Sequence, residues 1–184
     1  MILGGGESGV GAALLGKVKK YEVFLSDSGK INKKYKDVLI HNEIEWEEAG
    51  HTESKILNAD LVVKSPGIPD HVSMVKKLGK AAISVVSEIE FAATFTSANI
   101  IGITGSNGKT TTTMMVYHIL SQAGLDVTMG GNIGESFAKQ VLNDASNYVL
   151  ELSSFQLDGI QAFRPHIAVI TNITPDHLDR YDHK

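Results

Sequence analysis

A glycine-rich segment in the middle of the chain carries the residue types that bind nucleotide phosphates. It reads GITGSNGKT from Gly102 to Thr110, follows the apolar pair Ile100–Ile101 and precedes a helical pattern. Glycines let the backbone turn so that its N–H groups face an anion, and a helix N-terminus attracts negative charge. The segment predicts a P-loop in which Lys109 contacts the terminal phosphates of ATP and the Thr110 hydroxyl binds magnesium.

The spacing of this P-loop departs from the general pattern. That pattern has a glycine five residues before Gly108, where this chain has Ile103, and the glycines stand at Gly102 and Gly105 instead. The alternative is a glycine-rich turn that is followed by Lys-Thr without binding a nucleotide. The combination of strand, loop and helix favours the P-loop.

Glu151 ends the apolar segment Tyr148–Leu150, which should form a strand near the strand of the P-loop. In P-loop enzymes an acid at such a position holds the magnesium ion that bridges the ATP phosphates. Glutamate is rarely buried without a partner, so a site role is favoured over a chance position at the strand end.

A second glycine-rich turn lies at the start of the chain. Residues Gly4–Gly9 read GGGESG, and Asp27 follows the second predicted strand at about the spacing of a ribose-binding acid. Taken alone, this pattern supports three alternatives equally: an NAD-binding domain, a site for a UDP-sugar, or only a tight turn.

Three more loops follow predicted strands or precede helices. Ser65–Pro69 reads SPGIP, which is locally typical of a Pro-Gly turn, although ligands of open α/β sheets bind at such strand ends. Gly131–Gly134 is a polar turn before a short helix. In 171–180, His177 stands among aspartates, a set suited to a divalent metal ion, although an isolated histidine is more often structural.

The elements that must position these residues alternate between strand and helix patterns. This alternation predicts an α/β fold with parallel sheets: a Rossmann-like domain at 1–97, followed by the front part of a P-loop domain at 98–184. Residues 26–57 are charged and poorly periodic and stay unassigned. Helices are predicted at 72–78 and between Gly108 and Gly124, and strands at 1–3, 22–25, 61–63, 82–86, 100–103, 148–152 and 167–171.

Composition excludes several classes of protein. A hydrophobic fraction of 42% and a charged fraction of 21% are typical of a globular protein with a core. The net charge of -4 argues against nucleic-acid binding. We expect no membrane insertion because no apolar run reaches the roughly 18 residues of a span. The absence of cysteine excludes disulfides and thiolate chemistry and suits a cytoplasmic protein.

Taken together, the motifs resemble the Mur ligase family, which also includes folylpolyglutamate synthetase, and the run ELSSFQL favours its D-glutamate-adding branch. The resemblance covers nearly the whole chain. It rests on GGGESG at the start, SPGI at 65–68, SEIEF at 87–91, GITGSNGKTT at 102–111, GNIG at 131–134, ELSSFQL at 151–157 and NITPDHLDRY at 172–181.

The resemblance implies an ATP- and magnesium-dependent ligase of peptidoglycan synthesis, monomeric when complete. Its substrates would be UDP-N-acetylmuramoyl-L-alanine, D-glutamate and ATP, joined through an acyl phosphate. It implies a first domain for the UDP group, a central ATPase domain and a third domain. The family's carbamoylated lysine should lie beyond Lys184, so we expect this chain to bind nucleotide without catalysing ligation, and to expose apolar surface where its second core is incomplete.

The resemblance also assigns roles to individual residues. The ATP-binding residues would be Gly105, Ser106, Asn107, Gly108, Lys109, Thr110 and Thr111. Lys109, Glu151 and His177 would be catalytic, and Thr110, Glu151 and His177 would support magnesium. The UDP-substrate would contact Gly6, Glu7 and Ser8 at the diphosphate turn and Asp27 near the uracil. The rest of the pocket would be formed by Ser65, Pro66, Gly67 and Ile68. The muramoyl-alanine portion would contact Asn132, Ser153 and Gln156.

Three alternatives stay open. Another Mur or folate-type ligase would share the ATPase motifs. An NAD-dependent oxidoreductase would explain Gly4–Gly9 and Asp27 but would leave the P-loop without a purpose. A nucleotide-binding module without enzymatic activity is the third.

Overall fold

Nine short strands form two separate parallel β-sheets in the part of the chain that the structure describes. The computed structural model describes residues 1–175. The first sheet has the order β3-β2-β1-β4-β5 and the second the order β7-β8-β6-β9. Every neighbouring pair of strands is parallel. All strands of a sheet therefore end at the same edge, and the loops that leave these ends share that edge.

The first sheet and its helices occupy the N-terminal half of the chain. Strands and helices alternate along it, as parallel crossovers require. The elements are β1 (Ile2–Leu3), α1 (Glu7–Val18), β2 (Phe24–Ser26), α2 (Lys33–His41), β3 (Glu45–Glu47), α3 (Glu53–Leu57), β4 (Leu61–Lys64), α4 (Ser73–Lys80), β5 (Ser84–Ser87) and α5 (Glu88–Ala93).

The second sheet begins after a short connection that contains the proposed boundary between residues 97 and 98. Its central strands are β8 and β6, so that the P-loop leaves an inner strand. The elements are β6 (Asn99–Thr104), α6 (Lys109–Gln122), β7 (Val127–Gly131), α7 (Phe137–Val141), β8 (Asn147–Glu151), α8 (Ser154–Asp158) and β9 (Ile167–Ile170).

One hydrophobic core joins helices of the two sheets. It contains Leu15 of α1 and Ile89 of α5 from the first unit together with Phe137 of α7 from the second. The Phe137 ring packs edge-on against Tyr148 of β8, with ring centroids 5.3 Å apart. The packing of α1 and α5 against α7 therefore links the helices of the first sheet to the core of the second sheet unit.

The predicted α/β class is confirmed, but two strands were missed. β3 reads Glu-Trp-Glu and is an edge strand, and β7 contains Thr128 and two glycines, so neither has an apolar run. Each is a strand because a neighbour pairs with it: β2 in the first case and β8 in the second. The three strands predicted after Asn99 are too few, since the second sheet has four strands in the described residues. The unassigned residues 26–57 contain α2, β3 and α3.

Strand β9 and helix α6 of the second sheet unit expose apolar side chains, as expected. Ile167 and Ile170 of the edge strand β9 are 54% and 62% exposed, and Met114, Met115 and Ile119 of α6 also contact solvent. No helix within residues 1–175 is long and apolar enough to cross a membrane.

Glu88, the first residue of α5, is a buried acid in the contact between the two sheets. Burial raises the pKa of its carboxyl group to about 7; the hydrogen bond from the Ala138 N–H opposes this shift and the negative charge of Glu7 adds to it. Because the folded state holds this proton more tightly than the unfolded state, folding stability falls as the pH rises from about 4.5 to 7.

We expect Glu88→Gln to remove this pH dependence because glutamine cannot ionise. The free energy of unfolding of the variant, relative to the natural chain, should increase between pH 5 and pH 8 by on the order of 3 kcal/mol. Urea unfolding at both pH values measures it. Glu22→Gln, at an exposed glutamate, is the matched control. A difference that stays constant with pH would contradict the buried, proton-binding state of Glu88.

Candidate nucleotide site

The loop between β6 and α6 depends on glycine for its conformation. Gly105 has a φ of 134°, and a Cβ atom there would lie 2.1 Å from Thr171 Oγ1. A side chain would therefore collide with the segment that follows β9. The loop passes close to that segment because β6 and β9 are hydrogen-bonded neighbours.

The segment 171–174 holds the P-loop in place through hydrogen bonds. The Ser106 N–H donates to Asn172 O at 3.0 Å, and the Ser106 hydroxyl donates to Thr174 O at 2.8 Å. The Asn107 N–H donates to Asn172 Oδ1 at 3.0 Å, and Thr171 Oγ1 donates to Asn107 O at 2.7 Å. These contacts shape the loop from outside and leave α6 without a side-chain cap at its N-terminus.

Lys109 begins α6 and folds back over the loop. Its ammonium group donates to Gly105 O at 2.7 Å and to Ser106 O at 3.1 Å. The positive charge is therefore held beside the loop backbone and the helix N-terminus, where an anion would meet both.

Glu151, at the end of β8, connects the P-loop helix with the turn at 131–134. It is 1% exposed. The Thr110 hydroxyl donates to Glu151 Oε2 at 2.7 Å, and Asn132 Nδ2 donates to Glu151 Oε1 at 2.7 Å. β8 lies between β6 and β7, which explains why residues from both neighbouring strand ends reach this carboxylate.

The surroundings of Glu151 fit a magnesium ion. Within residues 1–175 no lysine, arginine or histidine forms an ion pair with this buried carboxylate. A hydroxyl and a carboxylate are oxygen donors of the kind that Mg²⁺ prefers, and Mg²⁺ keeps several waters or substrate oxygens as further ligands. No group of three His, Asp or Glu side chains suited to a metal occurs in the described chain. His177, the other predicted ligand, lies outside the described residues.

The glycine turn of the first sheet lies where the strand order reverses. β1 is central, and its neighbours β2 and β4 continue the chain in opposite directions across the sheet. Ligands of open α/β sheets bind at such a point. A Cβ at Gly9 would lie 1.8 Å from Gly4 O, and one at Gly4 would lie 2.5 Å from Ser65 Oγ. The two loops therefore touch, and the buried Ser65 hydroxyl has no hydrogen-bond partner in the described residues.

The remaining residues of the predicted diphosphate turn and pocket lie at the same edge. Gly6 caps α1 without a side-chain hydrogen bond, so the first N–H groups of this helix stay uncapped by side chains. The Ile68 N–H donates to Ser65 O at 3.1 Å and closes the turn that contains Pro66 and Gly67. Glu7, in contrast, reaches the second sheet unit, where its Oε1 accepts from the Ser136 N–H at 3.3 Å.

Asp27 has a structural role that the sequence pattern did not indicate. Its carboxylate accepts from the Gly5 N–H at 2.6 Å and from the Gly29 N–H at 2.7 Å. It therefore ties the glycine turn to the loop after β2. Contact of Asp27 with a ribose or uracil stays a prediction.

A hydroxyl–carboxylate–imidazole cluster beside Asp27 was also missed. Ser26 Oγ donates to Glu47 Oε1 at 2.6 Å and lies 2.7 Å from His51 Nδ1. Ser26 and Glu47 end β2 and β3, so only the pairing of these strands brings them together. The sequence offered no signal because β3 was not predicted.

Ser153 and Gln156 are engaged in the cap of α8. The Ser153 hydroxyl and the Gln156 side chain form a reciprocal capping box, and Gln156 is 3% exposed. Asn132, by comparison, is exposed. The structure thus brings Asn132 to Glu151, and it uses the other two side chains to begin the helix that follows Glu151.

Family models match both parts of the chain. The MurD N-terminal domain matches residues 2–74, and the Mur ligase middle domain matches residues 103–184. The chain belongs to the Mur ligase family. The resemblance stated from the motifs is confirmed.

Named relatives in this family are similar over the whole chain. This chain is 64% identical to the UDP-N-acetylmuramoylalanine–D-glutamate ligase of Christiangramia forsetii and 58% identical to that of Bacteroides thetaiotaomicron. Both comparisons cover 100% of this chain. The chain spans only 42% and 41% of the length of these relatives.

A solved Mur ligase has the same fold. The UDP-N-acetylmuramate:L-alanyl-gamma-D-glutamyl-meso-diaminopimelate ligase from Neisseria meningitides superposes with a TM-score of 0.66 at 21% identity, covering 99% of this chain and 62% of that chain. At this identity the likeness shows the fold alone.

We expect Gly105→Ala to destabilise the chain by about 3 kcal/mol or more, since the new methyl group would displace Thr171 and break its bond to Asn107. Gly134→Ala is the matched control: Gly134 also has a positive φ, of 65°, but a Cβ there meets nothing within 4 Å. It should cost about 1–2 kcal/mol. Equal losses in urea unfolding would contradict the close packing of the P-loop against residues 171–174.

Proposed function

We propose that this sequence forms the substrate-binding and ATP-binding front part of a cytoplasmic ligase that adds D-glutamate to UDP-N-acetylmuramoyl-L-alanine. The observation that carries the proposal is the arrangement around Glu151: a buried carboxylate held by Thr110 of the P-loop helix and by Asn132. The names of the similar relatives support the choice of substrates.

The proposed reaction has two steps. The terminal carboxylate of the muramoyl-alanine substrate attacks the γ-phosphorus of ATP, which forms an acyl phosphate and releases ADP. The amine of D-glutamate then attacks the acyl carbon, loses a proton and expels phosphate, so that an amide bond forms. Residues of this chain need not act as nucleophiles.

In the first step two anions must approach each other. This chain would therefore act mainly by neutralising charge and aligning the reactants. The N–H groups of Gly105 and Gly108 and the uncapped first turn of α6 would bind phosphate oxygens, whereas those of Ser106 and Asn107 are bonded to Asn172. Lys109 would exchange its bonds to Gly105 O and Ser106 O for bonds to the terminal phosphates. Magnesium, held by Thr110 and Glu151 with His177 as a further ligand, would supply additional positive charge.

The UDP group would bind at the glycine turn of the first sheet. The first N–H groups of α1, at Glu7 and Ser8, are suited to the diphosphate, and the unpartnered Ser65 hydroxyl offers a hydrogen bond beside them. Asp27 would set the position of the loop next to the uracil. Asn132, Ser153 and Gln156 would lie on the side of the muramoyl-alanine portion, between the two sheets' sites.

Lys109→Ala tests this assignment in a full-length ligase carrying this sequence. We expect ligation, measured as phosphate release with all three substrates, to fall at least about 100-fold, because the principal positive charge of the loop is lost. Calorimetric binding of the UDP-substrate should stay largely unchanged, since its UDP group would bind at the first sheet and Lys109 would not contact it. Lys80→Ala, at an exposed lysine of α4, is the control. Near-normal turnover in Lys109→Ala would refute the role of Lys109 at the ATP phosphates.

A further inference from the structure

The SEIEF segment at 87–91 contains two buried acids that the proposed chemistry does not use. Glu88 is 1% exposed and Glu90 is 8% exposed. They lie in the first turn of α5, where the Ser87 hydroxyl accepts from the Glu90 N–H at 3.1 Å and caps the helix. Burying a carboxylate is costly unless hydrogen bonds compensate for the lost water, so the partners of these two acids indicate what they do.

Both acids bind backbone N–H groups of the second sheet unit. Glu88 Oε1 accepts from the Ala138 N–H. Glu90 Oε2 accepts from the Gln161 N–H at 2.7 Å, and its Oε1 accepts from the N–H groups of Ala162 at 2.9 Å and Phe163 at 2.8 Å. Four backbone groups of one sheet unit are therefore bound by two side chains of the other.

These backbone groups belong to the two segments that border Glu151. Ala138 is the second residue of α7, which directly follows the turn that carries Asn132. Residues 161–163 follow α8, and α8 begins three residues after Glu151. The C-cap of α8 also packs on α5, since a Cβ at Gly159 would lie 2.8 Å from Ser87 Cβ.

We propose that Glu88 and Glu90 are positioning residues for ligation, which fix the turn at 131–134 and the α8 segment, and through them Asn132 and Glu151, relative to the first sheet. This inference rests on the proposed function. It explains why both acids bind main-chain groups: such bonds locate a backbone segment independently of its side chains. Hydrogen bonds that are shielded from water in a buried site are strong enough for this task.

The contact of α5 with the second sheet unit matters for the proposed reaction because the two reactants bind at different sheets. The UDP group binds at the first sheet and ATP at the second, and the carboxylate of one must meet the γ-phosphate of the other. A misplacement of about 1 Å can cost on the order of 100-fold in rate. Glu88 and Glu90 are the side chains in the described residues whose carboxylates directly connect α5 with both borders of Glu151.

The two acids differ in a way that allows an isosteric test. Both oxygens of Glu90 accept hydrogen bonds, so in Glu90→Gln an NH₂ group must face a backbone N–H. Glu88 uses only Oε1, and its buried Oε2 has no partner in residues 1–175. Glu88→Gln therefore keeps the acceptor for the Ala138 N–H, whereas Glu88→Ala removes it.

The experiment measures steady-state ligation by these three variants in a full-length ligase carrying this sequence. The rates are expressed per UDP-substrate-binding site, counted by calorimetry, so that unfolded protein does not lower the apparent kcat. We expect Glu90→Gln and Glu88→Ala to lower kcat by at least about tenfold, with the KM for ATP and the affinity for the UDP-substrate within about threefold of the natural values. Glu88→Gln should keep kcat within about threefold, and Glu22→Gln is the surface control.

Natural kcat per site in both Glu90→Gln and Glu88→Ala would overturn the inference. If Glu90→Gln shows no UDP-substrate binding, the Glu88 pair decides: restoration of kcat in Glu88→Gln relative to Glu88→Ala supports the positioning role, and equal values overturn it. The natural enzyme is assayed in parallel. Absence of D-glutamate ligation there would overturn the proposed function as well, whereas normal ligation together with unaffected variants would overturn only this inference.

Discussion

Buried carboxylates that must find hydrogen-bond donors organise this structure. Glu88, Glu90 and Glu151 are nearly inaccessible to solvent, and each is bound by groups from another element. A buried polar group without any hydrogen bond costs free energy, so each of these contacts constrains the elements that supply the donors. Glu151 joins the end of β8 to α6 and to the turn after β7. The two acids of α5 join that region to the first sheet.

The parallel topology explains why two candidate sites arise from loops that are far apart in sequence. In each sheet the chemically useful residues lie at the carboxyl ends of inner strands: the glycine turn and Ser65 after β1 and β4, and the P-loop and Glu151 after β6 and β8. The helices α1, α5 and α7 share a core between the sheets. Both candidate sites are thereby held by one packed region, as the proposed ligation requires.

Local patterns in the sequence were enough for the class of fold, the P-loop and the end-of-strand position of Glu151. These signals are contained in a few consecutive residues. The features that were missed depend on partners distant in the chain: β3 and β7 are strands because of their neighbours, and the contact between Ser26, Glu47 and His51 exists because β2 pairs with β3. The bonds from Asp27 to Gly5 and from Glu90 to residues 161–163 are equally invisible in a single sequence.

We propose that Glu151 binds the magnesium that accompanies ATP. Calorimetric titration of ATP with and without magnesium, on the natural chain and on Glu151→Gln, tests it most directly. We expect magnesium to strengthen ATP binding to the natural chain. Glu151→Gln should lose this increase and keep the magnesium-free affinity, since the P-loop is intact. The same magnesium-dependent increase in both proteins would contradict it.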